Sequence, residues 1–395
     1  MSSVPPRSRW SVIVSYSLLV AVTQLLWVTF TPITKASADY WDVSIDAVGW
    51  LSQIFPLAYV VLALPFGYWA DRSFKGSLTI GALLTGIGAI VRVFHGYEFS
   101  LVGQILISVG QPLVLNGVNK LAAQYIAPER RPLSIAIGSA SLFVGIMVST
   151  VSSPFLMRDL GMNSILEAQA CISVCAVLLF LFALLRARPD YMEEMTASPA
   201  PIRDLWSRGW VKQYSFLLFL GFGLFVTLTT WLEVLSTEHG FTGEQVGFAL
   251  GAMTLAGIVG AAFIPEWAIP GLRGRGVLCA SLAVSAVMLI TLFASSSFWL
   301  FAALLALSGC LLLANLPIIL SSAETQAPSG SAGTVTAVLL LFGNLGGIVL
   351  TLGVQFMLGS RIAAIGFLIV AVAVTVPVAL RFPSLSGNPP RDHVS

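Results

Sequence analysis

The sequence predicts an all-α membrane protein, with twelve transmembrane helices in two pseudo-symmetric six-helix bundles. Three observations predict it: a composition too apolar for a water-exposed surface, twelve apolar runs of spanning length, and a repeat relating the first six runs to the last six. Hydrophobic residues make up 57% of the 395 and charged residues 10%, whereas soluble domains carry about a quarter charged residues. A net charge of +2 offers no basic surface for nucleic acid, which is excluded as a partner.

A helix needs about 20 mostly apolar residues to cross the hydrocarbon, because lipid offers its backbone no hydrogen-bond partners. Such runs lie near 10–34, 46–70, 77–95, 99–120, 133–157, 163–186, 213–236, 243–266, 275–296, 298–321, 331–357 and 361–381. The first is too long for a signal h-region and reads as a span. Threaded with both termini in the cytoplasm, the count leaves sixteen Lys and Arg inside and four outside: Lys35, Arg92, Arg158 and Arg361. That bias fits the positive-inside rule, and the expected location is the cell (plasma or inner) membrane. The predicted organisation is an N-terminal bundle over 1–188, a cytoplasmic linker over 189–212, a C-terminal bundle over 213–381 and a disordered tail over 382–395.

The halves share short matches at similar displacements. Asp46-Ala-Val-Gly-Trp50 opens the second span as Glu244-Gln-Val-Gly-Phe248 opens the eighth. Trp10-Ser11 and Trp27 in the first span correspond to Tyr214-Ser215 and Trp231 in the seventh. Ala123-Gln-Tyr-Ile-Ala-Pro128 corresponds to Ala323-Glu-Thr-Gln-Ala-Pro328. A parallel repeat of six spans is the pattern of transporters whose halves rock about a central site. Asp46 and Glu244 also suit the positive end of a helix dipole, and Thr242 with Gln245 has capping-box spacing.

Other chemistries lack their residues. Cys171, Cys175, Cys279 and Cys310 lie in apolar runs with no partner set for a metal. No metal or other cofactor is expected. There is no Walker loop, so ATP does not drive the protein directly. No catalytic set converges within the spans, so an enzyme is not expected, and no loop is long enough to fold as a sensor module.

Between the second and third spans the chain reads Gly67-Tyr-Trp-Ala-Asp71-Arg72-Ser-Phe-Lys75. This resembles the Gly-x-x-x-Asp-Arg loop of the major facilitator superfamily, with Phe74 where a second glycine is usual. The resemblance implies a gating role for Gly67, Asp71, Arg72 and Lys75. Trp50-Leu51-Ser52, Gly103-Gln104, Gln111-Pro112, Ala127-Pro128-Glu129-Arg130 and Leu316-Pro317 with Glu324 resemble the branch around the feline leukaemia virus subgroup C receptor. That branch includes choline and ethanolamine carriers, and haem transport has been attributed to it. The resemblance implies a cavity at Trp27, at Gln111, at Thr230 beside Trp231, and at Asn344, where two of four family residue types are kept.

Polar groups inside spans are costly in lipid, so they default to cavity or packing roles. Glu233, two residues from Trp231, is the carboxylate placed to meet a cationic solute or a proton. Its alternatives are headgroup depth or a pair with Arg92. Gln111 and Asn116 are candidate cavity amides, with Asn344 in Phe342-Gly-Asn-Leu-Gly-Gly347 a third. Trp27 and Trp231 stand at matched places in the two halves. Gln53 and Tyr59 are further candidates, and Lys120 reads as an anchor.

The expected function is secondary transport of a small organic solute, a cation among the candidates, by a monomer in the bilayer, with protons a candidate co-substrate. The alternatives are a proton-coupled carrier of an organic anion, a haem or drug exporter, and a non-transporting membrane receptor.

Overall fold

A computed structural model describes residues 8–189, 191, 202–236, 240–268, 273–294, 297–327 and 331–382. Of the expected tail over 382–395 only Phe382 is described, and it is buried; of the expected linker, residues 190 and 192–201 fall outside the described residues, while a short helix, Ile202–Ser207, lies within it.

The elements follow the apolar runs. In the first half they are α1 (Trp10–Trp27), α2 (Thr34–Trp41), α3 (Ile45–Arg72), α4 (Phe74–Val91), α5 (Tyr97–Leu115), α6 (Val118–Tyr125) and α7 (Arg131–Arg186). After α8 (Ile202–Ser207) come α9 (Gly209–Ser236), α10 (Gly243–Ala268), α11 (Gly274–Ala294), α12 (Phe298–Gln326), α13 (Ala332–Phe356) and α14 (Arg361–Leu380). Among the described residues eleven helices are long and apolar enough to cross a membrane. One of them, the 56-residue α7, is two spans, because Gly161 at φ 78° and ψ 175° breaks it. Only glycine takes that conformation without strain. Counting its two limbs separately gives the expected twelve.

The two halves pack alike. α1 lies on the first limb of α7 as α9 lies on α13, and α3 lies on α5 as α10 lies on α12. Glycines bring the first of these pairs together: Gly145 sits on the Ala21 carbonyl and Gly346 on the Phe219 carbonyl, with no room for a Cβ at either. Such close approach is how helices gain contact in lipid, where burial of apolar surface gives no advantage. Apolar side chains such as Val61, Leu178, Phe182, Phe263 and Val370 face outward, as a lipid-facing surface requires.

Most buried hydroxyls bond to their own helix. Thr150 donates to Ile146 O at 3.0 Å, Thr227 to Gly223 O at 2.8 Å, Thr254 to Leu250 O at 2.9 Å and Thr375 to Ala371 O at 2.7 Å. A hydroxyl satisfied four residues back needs nothing from a neighbouring helix. The capping box forms as expected: Thr242 N–H donates to Gln245 Oε1 at 2.9 Å and Gln245 N–H to Thr242 Oγ1 at 3.3 Å.

Three local expectations change. The first span stops at Trp27 rather than near residue 34, and the chain turns through a 3-10 segment, Thr31–Ile33, into α2. The fourth span breaks after Leu115, with Asn116 as the C-cap of α5, before α6 resumes. Arg92, counted among the outside bases, is buried, with 1% of its surface exposed.

Candidate functional site: a path between the halves

The halves meet chiefly at one end. The first limb of α7 packs on α10, α3 on α13, and Thr31–Ile33 on α9 and α10. Gly247 rests on the Thr150 carbonyl and beside Pro154, and Gly251 on Val151. Arg158 reaches Glu244 at 3.1 Å on the exposed rim. All these residues lie at the ends of their helices that carry Lys35, Arg158 and Arg361, here termed the closed end. The opposite, basic end carries Arg72, Lys75 and Arg131. Near mid-depth, Phe143 of α7 meets Phe225 of α9 edge-on, with centroids 6.4 Å apart.

The two tryptophans lie at the closed end. Trp27 ends α1, stacks on Phe55 with centroids 6.1 Å apart, and donates its indole N–H to Ser52 O at 2.9 Å. Trp231 is fully buried, donates to Thr351 O at 3.1 Å, and lies over Gly49. The repeat matches their positions but not their partners: Trp27 bonds to α3, the second span of its half, and Trp231 to α13, the fifth of its own.

Glu233 also lies at this end, half-buried, facing the backbone N–H of Lys35 in α2 and lying in the fields of Lys35 and Asp39. It does not meet Arg92. The Arg92 guanidinium instead donates to Leu26 O at 3.4 Å and Gln169 Oε1 at 3.1 Å, and lies 4.9 Å from the Phe30 ring centroid.

Towards the basic end, α5 presents two amides. Gln111 is 4% exposed, and its amide bonds to none of the described residues. Asn116 is exposed and accepts from the Tyr59 hydroxyl at 2.8 Å. In the second half, Asn344 donates back to Leu340 O at 2.9 Å. Thr230 is buried and donates to Val226 O at 2.8 Å. A narrow cleft lies between α9 and α12, lined by Leu217, Gly221, Phe222, Phe225, Leu313 and Asn315 among others. Asn315 donates to Ser281 Oγ at 2.7 Å, while its own Oδ1 is buried without a partner among the described residues. Sequence reasoning missed Asn315, though an amide two residues before Pro317 in an apolar span was a signal available to it.

Of the loop motif, only the backbone of Gly67 and Asp71 is described. Arg72 is exposed at the end of α3. Lys75 donates to Ala187 O at 2.7 Å and lies 5.9 Å from the Tyr125 ring centroid, so it ties the loop to the end of its own half. Of Glu324, likewise, only the backbone is described.

Residues 13–351 match the Major Facilitator Superfamily. The chain belongs to that superfamily. Among its relatives is solute carrier family 49 member A3 of Xenopus tropicalis, 24% identical over 286 residues, covering 65% of this chain and 57% of that protein. Another is the choline/ethanolamine transporter FLVCR2 of Rattus norvegicus, 22% identical over 287 residues, covering 66% and 52%. The chain spans about half the length of these named relatives. A crystal structure of a bacterial homologue of the human lysosomal transporter Spinster, inward-facing and unoccupied, superposes with a TM-score of 0.72 over 94% of this chain and 97% of that one. At 15% identity this likeness shows the fold alone. This superfamily member is therefore a multi-pass membrane protein, as its composition predicts, and its resemblance to the choline/ethanolamine branch is carried by named relatives as well as by short motifs.

Proposed function

We propose that the chain is a secondary transporter that moves a small organic solute between its two halves by alternating access. The observation that carries this reading is the one-ended closure: two similarly packed six-helix units joined chiefly at the end of Trp27, Trp231 and Glu233. Rotation about that joint exposes a central path from alternate sides. The path is lined from the first half by Gln111, Tyr59 and Asn116 and from the second by Phe222, Asn315 and Asn344, with Trp27 and Trp231 as its roof.

The positive-inside distribution supports a reading in which both termini and the basic end face the cytoplasm of a cell membrane and the path of a monomer opens inward. Reporter fusions in the 186–212 segment test this, and an external reporter there overturns it.

Choline and ethanolamine, which the names of relatives supply, head the solute panel. Aromatic faces attract such cations by about 0.5–2 kcal/mol each, depending on desolvation. Glu233 supplies a negative group at the roof, for the solute or for a coupled proton. The test is uptake of labelled solutes into proteoliposomes, with and without an imposed pH gradient. Wild-type gradient-driven uptake by Glu233→Gln removes the proton role. Gln111→Leu is expected to raise KM about tenfold, the loss of one substrate hydrogen bond of roughly 1–1.5 kcal/mol, without altering expression. Unchanged KM removes Gln111 from the path.

A further inference from the structure

At the closed end, shape and a buried amide pair join the halves beside the charged groups already described. One face of α3 presents Asp46, Gly49 and Gln53, spaced so that they line up along the helix. Trp231 of the other half lies over Gly49, and a Cβ on Gly49 would collide with the indole ring. The indole is held by Thr351 O at 3.1 Å, so it travels with α13. One turn further along α13, Gln355 accepts from the Gln53 amide, and its own amide donates to Asp46 O at 3.4 Å. Gln53 and Gln355 are 4% and 9% exposed and stand 302 residues apart in the chain. The Arg158–Glu244 pair at the same end is exposed, and exposed ion pairs contribute little.

We propose that Gly49, Gln53, Trp231 and Gln355 form the gate that shuts this end of the path: a ring seated in a glycine notch, clasped by a buried amide pair. The proposal rests on the transport reading above. Its consequence is that Gly49 is required by the closed state alone. A side chain there strains a contact between halves and leaves the packing within each half intact, so it shifts the population of the two states.

The test uses the full chain with its four cysteines replaced by serine. Spin labels at Glu98→Cys and Gly359→Cys, exposed sites on opposite halves at the closed end, report the gap. Gly49→Val is expected to lengthen that distance and reduce uptake at least about tenfold, as a shift of state population would. Adding Trp231→Ala is expected to return the distance towards wild type, because the colliding ring is gone. Separately, Gln53→Cys with Gln355→Cys, bridged by a thiol-cleavable bifunctional reagent, is expected to hold the short distance and stop uptake until a reductant is added. A wild-type distance in Gly49→Val, no reversal by Trp231→Ala, or full uptake by the bridged protein overturns the gate. If Gly49→Val yields no monodisperse protein, the bridged pair alone decides. If wild-type protein takes up no solute, the transport reading fails, while the distances still test the gate.

Discussion

Gly346→Val is expected to abolish recovery of folded protein, and Gly145→Val to do the same. At both positions the place of a Cβ is filled by a backbone carbonyl of the facing helix, Phe219 O and Ala21 O. A flexible side chain can swing away, but a carbonyl inside a helix cannot move without its turn. The helices must therefore separate along their length, and α9 on α13 is among the most extensive contacts of the second half. Overpacking a well-filled site costs about 1–3 kcal/mol, and more where nothing can yield. Gly366→Ala is the control: a Cβ on Gly366 of α14 meets nothing within 4 Å, and alanine favours the helix by about 1 kcal/mol. Detergent-extracted protein measured by size-exclusion chromatography and thermal unfolding should separate the two groups. A monodisperse Gly346→Val protein with wild-type unfolding temperature would refute the close packing of α9 on α13.

Arg92→Ala is expected to lower stability by about 2–4 kcal/mol, through the cavity it leaves and the cap it removes. The end of α1 leaves carbonyls that no residue of its own helix satisfies. Leu26 O accepts from Arg92 and from Gln104 Nε2 at 3.2 Å, and Leu25 O from Ser149 Oγ at 2.8 Å. A cation at the negative end of a helix is favourable, the more so where water is excluded. Gln169 fixes the guanidinium and also accepts from Thr29 at 2.9 Å. The second half has a counterpart: Arg361 donates to Leu235 O at 2.9 Å, near the end of α9, and to Leu292 O of α11. Chemical unfolding in mixed micelles checks the prediction. Stability unchanged in Arg92→Ala would mean that Gln104 and Ser149 cap α1 unaided.

Much of the fold was legible because lipid imposes a length and a polarity on every span. The twelve runs, the break between residues 157 and 163 where Gly161 turns, and the repeat all follow from local composition. The early stop of α1 was less visible, since Val28, Phe30 and Ile33 are apolar, although Thr29, Thr31 and Pro32 marked it. Arg92, counted on the outer side within the run 77–95, carries no mark in the sequence of being buried there. Its burial depends on Leu26, Phe30 and Gln169, which only folding brings together. The same limit applied to the site. Polar residues inside spans could be named, but Gln53 and Gln355 meet across the whole chain, and no spacing rule links them. The tryptophans stand at matched places in the two halves, while their orientation towards Ser52 O and Thr351 O was not readable from hydropathy.

The hydroxyls that bond to their own helices have a mechanical consequence. Thr150 faces α10 with its oxygen already engaged on Ile146, and glycines of α10 lie against it. Among the described residues, no side-chain hydrogen bond joins α7 to α10 apart from the Arg158–Glu244 pair at the rim. In the alternating-access reading proposed above, two such faces would slide and tilt as greased surfaces do, with dispersion contacts exchanged for similar ones and no directional bond to rupture. The pivot would then have low friction, and the balance between its two positions would be left to the few groups that clasp its edge.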